Sequence, residues 1–128
     1  MTDNHLFFDS NIWLGYFLQS NEKIAPLVES PESQIFTSIL SFHEVVKVIH
    51  REKRSAAFIK EVVRFMHENS TIVMVDEYIA VDAVEWCLKN KLSAVDSMIY
   101  QSARKSNCSL ITTDSDFDGL EKVWKVVV

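Results

Sequence analysis

An α/β fold, a three-layer α/β/α sandwich on a mostly parallel five-stranded sheet, is what this sequence predicts. Three observations lead there: short unbroken apolar runs, helical periodicity in the stretches between them, and only two glycines and two prolines, too few for long flexible linkers. Strands without alternation are buried on both faces, as happens when helices cover a parallel sheet from both sides.

His5-Leu6-Phe7-Phe8 reads as the first strand. Asp9-Ser10-Asn11 then supplies N-cap residues for the helical pattern Ile12, Trp13, Tyr16, Phe17. A second short helix covers Glu22 to Glu29, with Pro26 delaying or kinking its regular part, and Ser30-Pro31-Glu32-Ser33 makes the turn. Gln34 to Ser38 is the second strand, and a helix from about Phe42 carries Val45, Val46 and Ile49 on one face. Ala56 to Glu68 is helical, Thr71 to Val75 a β-branched strand, and Tyr78 to Leu88 and Val95 to Arg104 two further helices. Ser109 to Thr112 and Val123 to Val128 complete the strands.

The 128 residues, 48% of them apolar, suffice for one contiguous core, so residues 1–128 are expected to form a single domain. Met1 to Asp9 hold no basic leader, which is not the pattern of a signal peptide, and no apolar run approaches the length of a membrane span. Cys87 and Cys108 read as two small buried thiols, which points to the cytoplasm. A net charge of −5 argues against wrapping nucleic acid by bulk electrostatics. Between His43 and His67, however, six basic residues face three acidic ones, so a basic helical flank adjoins an acidic centre.

That centre is the chain's main functional signal. Asp9, Glu44, Asp96 and the pair Asp114/Asp116 stand where apolar runs stop, and loops leaving the carboxyl ends of parallel strands gather at one edge. Taken singly, each acid has a local explanation. Asp9 could serve the first helix, Ser41-Phe42-His43-Glu44 and Ser93-Ala94-Val95-Asp96 fit capping boxes, and Asp114-Ser115-Asp116 fits an Asx turn. Taken together, they are a carboxylate cluster suited to a hard divalent cation, and Asp9, Glu44, Asp96 and Asp114 should converge within roughly 10 Å.

Asp9-Ser10-Asn11-Ile12-Trp13 after an apolar strand, Glu44 in the helix following Thr37-Ser38, Asp96 opening an amphipathic helix, and Leu110-Ile111-Thr112-Thr113-Asp114-Ser115-Asp116-Phe117 together resemble the PIN-domain nucleases. The resemblance runs the length of the chain, and its first and last motifs are the most specific. It implies strand order 3-2-1-4-5 and a Mg²⁺- or Mn²⁺-dependent endoribonuclease that leaves a 5′-phosphate and a 3′-hydroxyl. By position it implies that Asp9, Glu44, Asp96 and Asp114 are the acidic quartet, Asp116 a fifth acid on the metal, and Asn11 and Thr112 polar supports. Members of this size are often VapC-like toxins, homodimeric and paired with an antitoxin. Thr113 departs from the pattern, since many such toxins carry a basic residue there.

Lys47, Arg51 and Arg54 are candidates for the RNA backbone, against the plainer reading of a solvated helix face. Trp13, Tyr16 and Phe17 could stack on bases, although their spacing fits a core or interface better. With the helices from Val45 to Ile59, they offer the expected homodimer surface.

Other chemistries lack their parts. His43-Glu44-Val45-Val46-Lys47 has lysine where a zinc peptidase needs its second histidine. Glycines only at 15 and 119 exclude Gly-rich phosphate loops and the serine-hydrolase nucleophile elbow. Two alternatives to the nuclease remain: a catalytically silent PIN-like module that binds RNA or protein, and a receiver-like domain phosphorylated on Asp76.

Overall fold

In the computed structural model, which describes residues 4–127, five strands form one parallel sheet in the order β3-β2-β1-β4-β5. The strands are β1 (His5–Phe8), β2 (Gln34–Ser38), β3 (Thr71–Val73), β4 (Ser109–Thr112) and β5 (Val123–Lys125). The helices are α1 (Ser10–Gln19), α2 (Ala25–Glu29), α3 (Ile39–Arg51), α4 (Ala56–Asn69), α5 (Glu77–Asp82), α6 (Val84–Asn90) and α7 (Ala94–Lys105). A 3₁₀ turn covers Ser115–Phe117. The expected sandwich and strand order are both present.

Successive strand residues face opposite layers. Leu6, Phe8 and Ile111 join Trp13, Ile24, Val45, Ile49, Val62 and Met66 in one core under α1 to α4. Phe7 and Leu110 join Leu92, Ile99, Tyr100, Ala103, Cys108 and Phe117 in the other, under α7. Both faces of β1 and β4 are therefore dry, which explains their unbroken apolar sequence.

Register aligns the carboxyl ends of the central strands. Phe8 lies opposite Thr37 on one side and Ile111 on the other. Immediately beyond, the Asp9 N–H donates to the Ile111 carbonyl at 3.0 Å. The Thr37 hydroxyl donates to the Phe8 carbonyl at 3.2 Å and accepts the Trp13 indole N–H at 3.0 Å. These bonds tie the first turn of α1 to the end of β1, where Asp9 emerges.

Several element limits differ from those expected. α3 starts at Ile39 because Ser38, still extended, caps it by accepting the Leu40 N–H at 3.1 Å. Ser41 is thus a buried first-turn residue with an unpartnered hydroxyl, and the capping box with Glu44 does not form. The helix expected over Tyr78 to Leu88 breaks at Ala83, where the Trp86 N–H bonds three residues back to the Ala83 carbonyl at 3.0 Å. β3 stops at Val73, as suits an edge strand, and Asp76 caps α5 instead. β5 ends at Lys125, and Val128 lies outside the described residues. Pro26 stands in the first turn of α2, which begins late at Ala25.

Trp13 is fully buried, stacked on Phe17 at 6.0 Å and met edge-on by Phe65 of α4. Val45 and Ile49 are equally enclosed. Trp13 is therefore covered from within the chain by α4, while Tyr16 and Phe17 stay partly exposed. The exposed large apolar side chains Met74, Tyr78, Val81, Val84 and Leu88 instead run from the end of β3 along α5 and α6.

Candidate metal centre

Four elements deliver carboxylates to one cavity of about 310 Å³. Asp9 follows β1, Glu44 lies in the second turn of α3, Asp96 in the first turn of α7, and Asp114 follows β4; Asn11 lines the same space. The structure therefore brings the four acids expected to cluster into one place. Asp116 stands beside them, with one oxygen from each of Asp96, Asp114 and Asp116 within 4.8 Å of the others.

Local hydrogen bonds fix the acids. The buried Asp9 carboxylate accepts the Ser10 N–H at 2.8 Å through Oδ1 and the Thr112 hydroxyl at 2.7 Å through Oδ2. Thr112 Oγ1 in turn accepts the Asp114 N–H at 3.0 Å, and Asp114 Oδ1 accepts the Asp116 N–H at 2.9 Å. One relay thus runs from the end of β1 through β4 to the 3₁₀ turn. Thr112 connects two acids. Asp96 is held from its main chain, its N–H donating to the Ser93 cap at 3.1 Å, and the amino end of α7 favours its negative charge.

Electrostatics set Asp9 apart. Burial, the largest cause, pushes its carboxyl up to about 6, against the pull of the Thr112 and Ser10 hydrogen bonds; the charges of Asp96 and Asp114 push in the same direction as burial. Asp96 is also raised, by burial first and then by Asp114. Among the described residues no ion pair involves Asp9, Asp96, Asp114 or Asp116. One buried acid beside half-buried ones that repel it, with no ion-pair partner among the described residues, suits a bound cation. The donors are all hard oxygens with no histidine or cysteine in the set, which fits Mg²⁺ or Mn²⁺ and not zinc. The buried Ser10 hydroxyl, unpartnered in the same cavity wall, adds a further oxygen.

The basic candidates surround this centre unevenly. Lys47 Nζ pairs with Glu44 Oε1 at 3.2 Å, a contact the sequence reading did not single out. Its signal was the i, i+3 spacing on a helix. Arg51 is exposed near the end of α3, and Arg54 places its guanidinium 5.0 Å from the Phe58 ring centre. Arg54 also lines a neighbouring groove of about 320 Å³ with Asn11, Leu14, Leu18, Ile24 and Thr113. His43 and His50 are exposed, as expected of surface histidines. Asp76 accepts the Ile79 N–H at 2.9 Å and meets Lys105 at 3.5 Å, so it acts as a helix cap. With β1 between β2 and β4, the strand order also differs from the 2-1-3-4-5 of flavodoxin-like sheets that a receiver needs.

Solved structures share this architecture. A toxin–antitoxin complex from Klebsiella pneumoniae aligns with a TM-score of 0.78 at 22% identity, covering 94% of this chain and 99% of the other. VapC20 of Mycobacterium tuberculosis, a sarcin–ricin-loop-cleaving toxin, aligns at 0.76 and 17% identity, covering 94% and 98%. VapBC2 of Rickettsia felis, solved with a DNA fragment from its promoter, aligns at 0.74 and 12%, covering 95% and 97%. At these identities the likeness is one of fold. No curated protein matches the chain closely in sequence. Residues 6–123 match the PIN domain as a family.

Proposed function

The chain belongs to the PIN-domain family, and from that premise we propose that it is a Mg²⁺- or Mn²⁺-dependent endoribonuclease, the toxin of a toxin–antitoxin pair. One observation carries this reading: Asp9, Glu44, Asp96 and Asp114 reach a single cavity from four separate elements, and among the described residues three of them have no ion-pair partner. Caps scattered for local reasons have no cause to converge. The likeness in fold to the RNA-cleaving toxin VapC20 supports the choice of substrate.

Asp9, Glu44, Asp96 and Asp114 would hold a divalent ion there, which when bound would supply Lewis-acid activation of water and charge neutralisation at the scissile phosphate. The residues' share is to hold and orient. Asp9 contributes a carboxylate whose rotamer is fixed by Ser10 and Thr112, so its position costs no reordering. Glu44 and Asp96 complete the acidic wall from opposite layers, Asp114 and Asp116 close it from the β4 loop, and Asn11 offers an amide at the rim. Lys47, Arg51 and Arg54 hold the RNA backbone on the α3 side, which gives affinity without sequence preference. The products carry 5′-phosphate and 3′-hydroxyl ends.

Cleavage of a mixed single-stranded RNA with and without EDTA tests the proposal. Loss of cleavage with chelator and its return with Mn²⁺ is expected. A preparation that binds RNA but never cuts it would instead fit the silent module. Thr112→Val keeps the shape and removes the hydroxyl that serves Asp9 and Asp114. It should weaken Mn²⁺ binding by about tenfold to a hundredfold in titration calorimetry.

The proposal extends to organisation. Residues 1–128 act as a single domain in the cytoplasm, in keeping with Cys87 and Cys108, which form no disulfide; no described helix is long and apolar enough to cross a membrane. An antitoxin segment occupies the groove beside the metal centre, whose apolar floor of Leu14, Leu18, Ile24 and Val48 ends at Arg54. The chain forms a homodimer, through α5 and α6 in place of the α1, α3 and α4 surface expected at first. Leu88, 79% exposed, lies in that apolar run. Leu88→Glu should convert a dimer to a monomer in light scattering while changing unfolding free energy by less than about 0.5 kcal/mol, as exposed substitutions do.

A further inference from the structure

Among the described residues Glu44 is the one acid of the quartet paired with a cation. Asp9 is fixed by two hydrogen bonds, and Asp114 is tied to Thr112 through its N–H and to the Asp116 N–H through Oδ1. Among the described residues the Glu44 carboxylate has a single hydrogen-bond partner, Lys47 Nζ at 3.2 Å, one helical turn further along α3. Both side chains are more than a third exposed, at 41% for Lys47 and 37% for Glu44, so water and salt screen the pair and its net strength is small. The contact is therefore easily exchanged, and its acceptor Glu44 lines the cavity that would receive a divalent ion.

We propose that Lys47 is a positioning residue that occupies Glu44 in the ion-free protein and gives it up when a divalent ion enters, and so sets the affinity of the metal centre. This rests on the metal-dependent nuclease reading. Two effects oppose each other. The pair holds Glu44 in place, which favours the ion; Lys47 also competes for the same oxygen and would repel a doubly charged cation held by it. An exposed i, i+3 pair orders its partner only weakly, whereas repulsion between a single and a double charge is twice that of two single charges at the same separation. Competition wins, and Lys47 weakens metal binding.

The test is Mn²⁺ binding, read as free Mn²⁺ by electron paramagnetic resonance at low ionic strength, for wild type, K47M, K47R, E44Q, E44Q/K47M and D9N. K47M should bind about threefold to tenfold more tightly than wild type, and K47R should stay within about twofold because it keeps the charge. In the E44Q background the gain from K47M should shrink to less than about twofold, since the oxygen contested by Lys47 is gone. An unchanged affinity in K47M overturns the proposal. So does a gain of equal size with and without Glu44, which would make Lys47 one diffuse charge among several. Wild-type protein that binds no Mn²⁺, or binds it as D9N does, removes the nuclease reading itself and the role of Lys47 with it. Thermal unfolding of each variant confirms that the isotherms compare folded proteins.

Discussion

Asp9→Asn is expected to reduce divalent-metal-dependent RNA cleavage about a thousandfold or more, equivalent to about 4 kcal/mol of lost transition-state stabilisation, and yet to make the ion-free protein more stable at neutral pH. The second half follows from the carboxyl being pushed up to about 6, chiefly by burial. The folded state binds the Asp9 proton more tightly than the unfolded chain does. Its contribution to stability is fully present below the unfolded value of 3.8 and is lost as pH rises through about 6. Across that window the loss is about 3 kcal/mol. Asparagine removes this ionisation but surrenders an acceptor for the Thr112 hydroxyl, at about 1 kcal/mol. The net gain is about 1–2 kcal/mol at pH 7, or about 3–8 °C in melting temperature, and it should vanish near pH 4. Added Mn²⁺ should raise the melting temperature of wild type much more than that of the variant. Scanning calorimetry of both proteins at pH 4 and pH 7 with EDTA, and at pH 7 with Mn²⁺, checks each part. A variant less stable than wild type at pH 7 would make Asp9 a structural cap.

Trp13→Ala is expected to cost about 3–5 kcal/mol of unfolding free energy, the range for deleting a large buried aromatic side chain. The ring is fully enclosed between Phe8, Phe17 and Phe65, and its N–H holds Thr37, which in turn holds the Phe8 carbonyl. Loss of the ring therefore loosens the strand end that presents Asp9. Urea unfolding should show the midpoint falling in proportion, and Trp13→Phe should lose less, because it keeps most of the packing. Had Trp13 stacked on RNA bases, its removal would lower RNA affinity and leave the unfolding midpoint in place.

Most of the sheet was legible because its central strands are buried on both faces and so read as unbroken apolar runs. The acids were legible as punctuation, since Asp9 and Asp114 follow strands almost directly. Less legible was anything decided by competition between neighbours. Ser38 and Ser41 are equally good caps by type, and only the extended backbone at Ser38 decides between them. The break at Ala83 leaves no proline or glycine in the sequence to mark it. Three-dimensional occupancy was hidden as well. Nothing in the spacing of Trp13, Tyr16 and Phe17 says that Phe65 arrives from α4 to pack on them. Burial is hidden in the same way, and at Asp9 it ranks first among the causes that raise the carboxyl, ahead of neighbouring charges.

Anomalous scattering from Mn²⁺-soaked crystals tests most directly whether this edge of the sheet is a metal centre. A peak should appear within about 2.0–2.6 Å of carboxylate oxygens of Asp9 and at least one of Asp96 and Asp114, the range for hard-cation ligands, and it should be absent from Asp9→Asn crystals. Manganese bound only elsewhere on the surface, or an empty cluster at millimolar Mn²⁺, would contradict a divalent-metal nuclease.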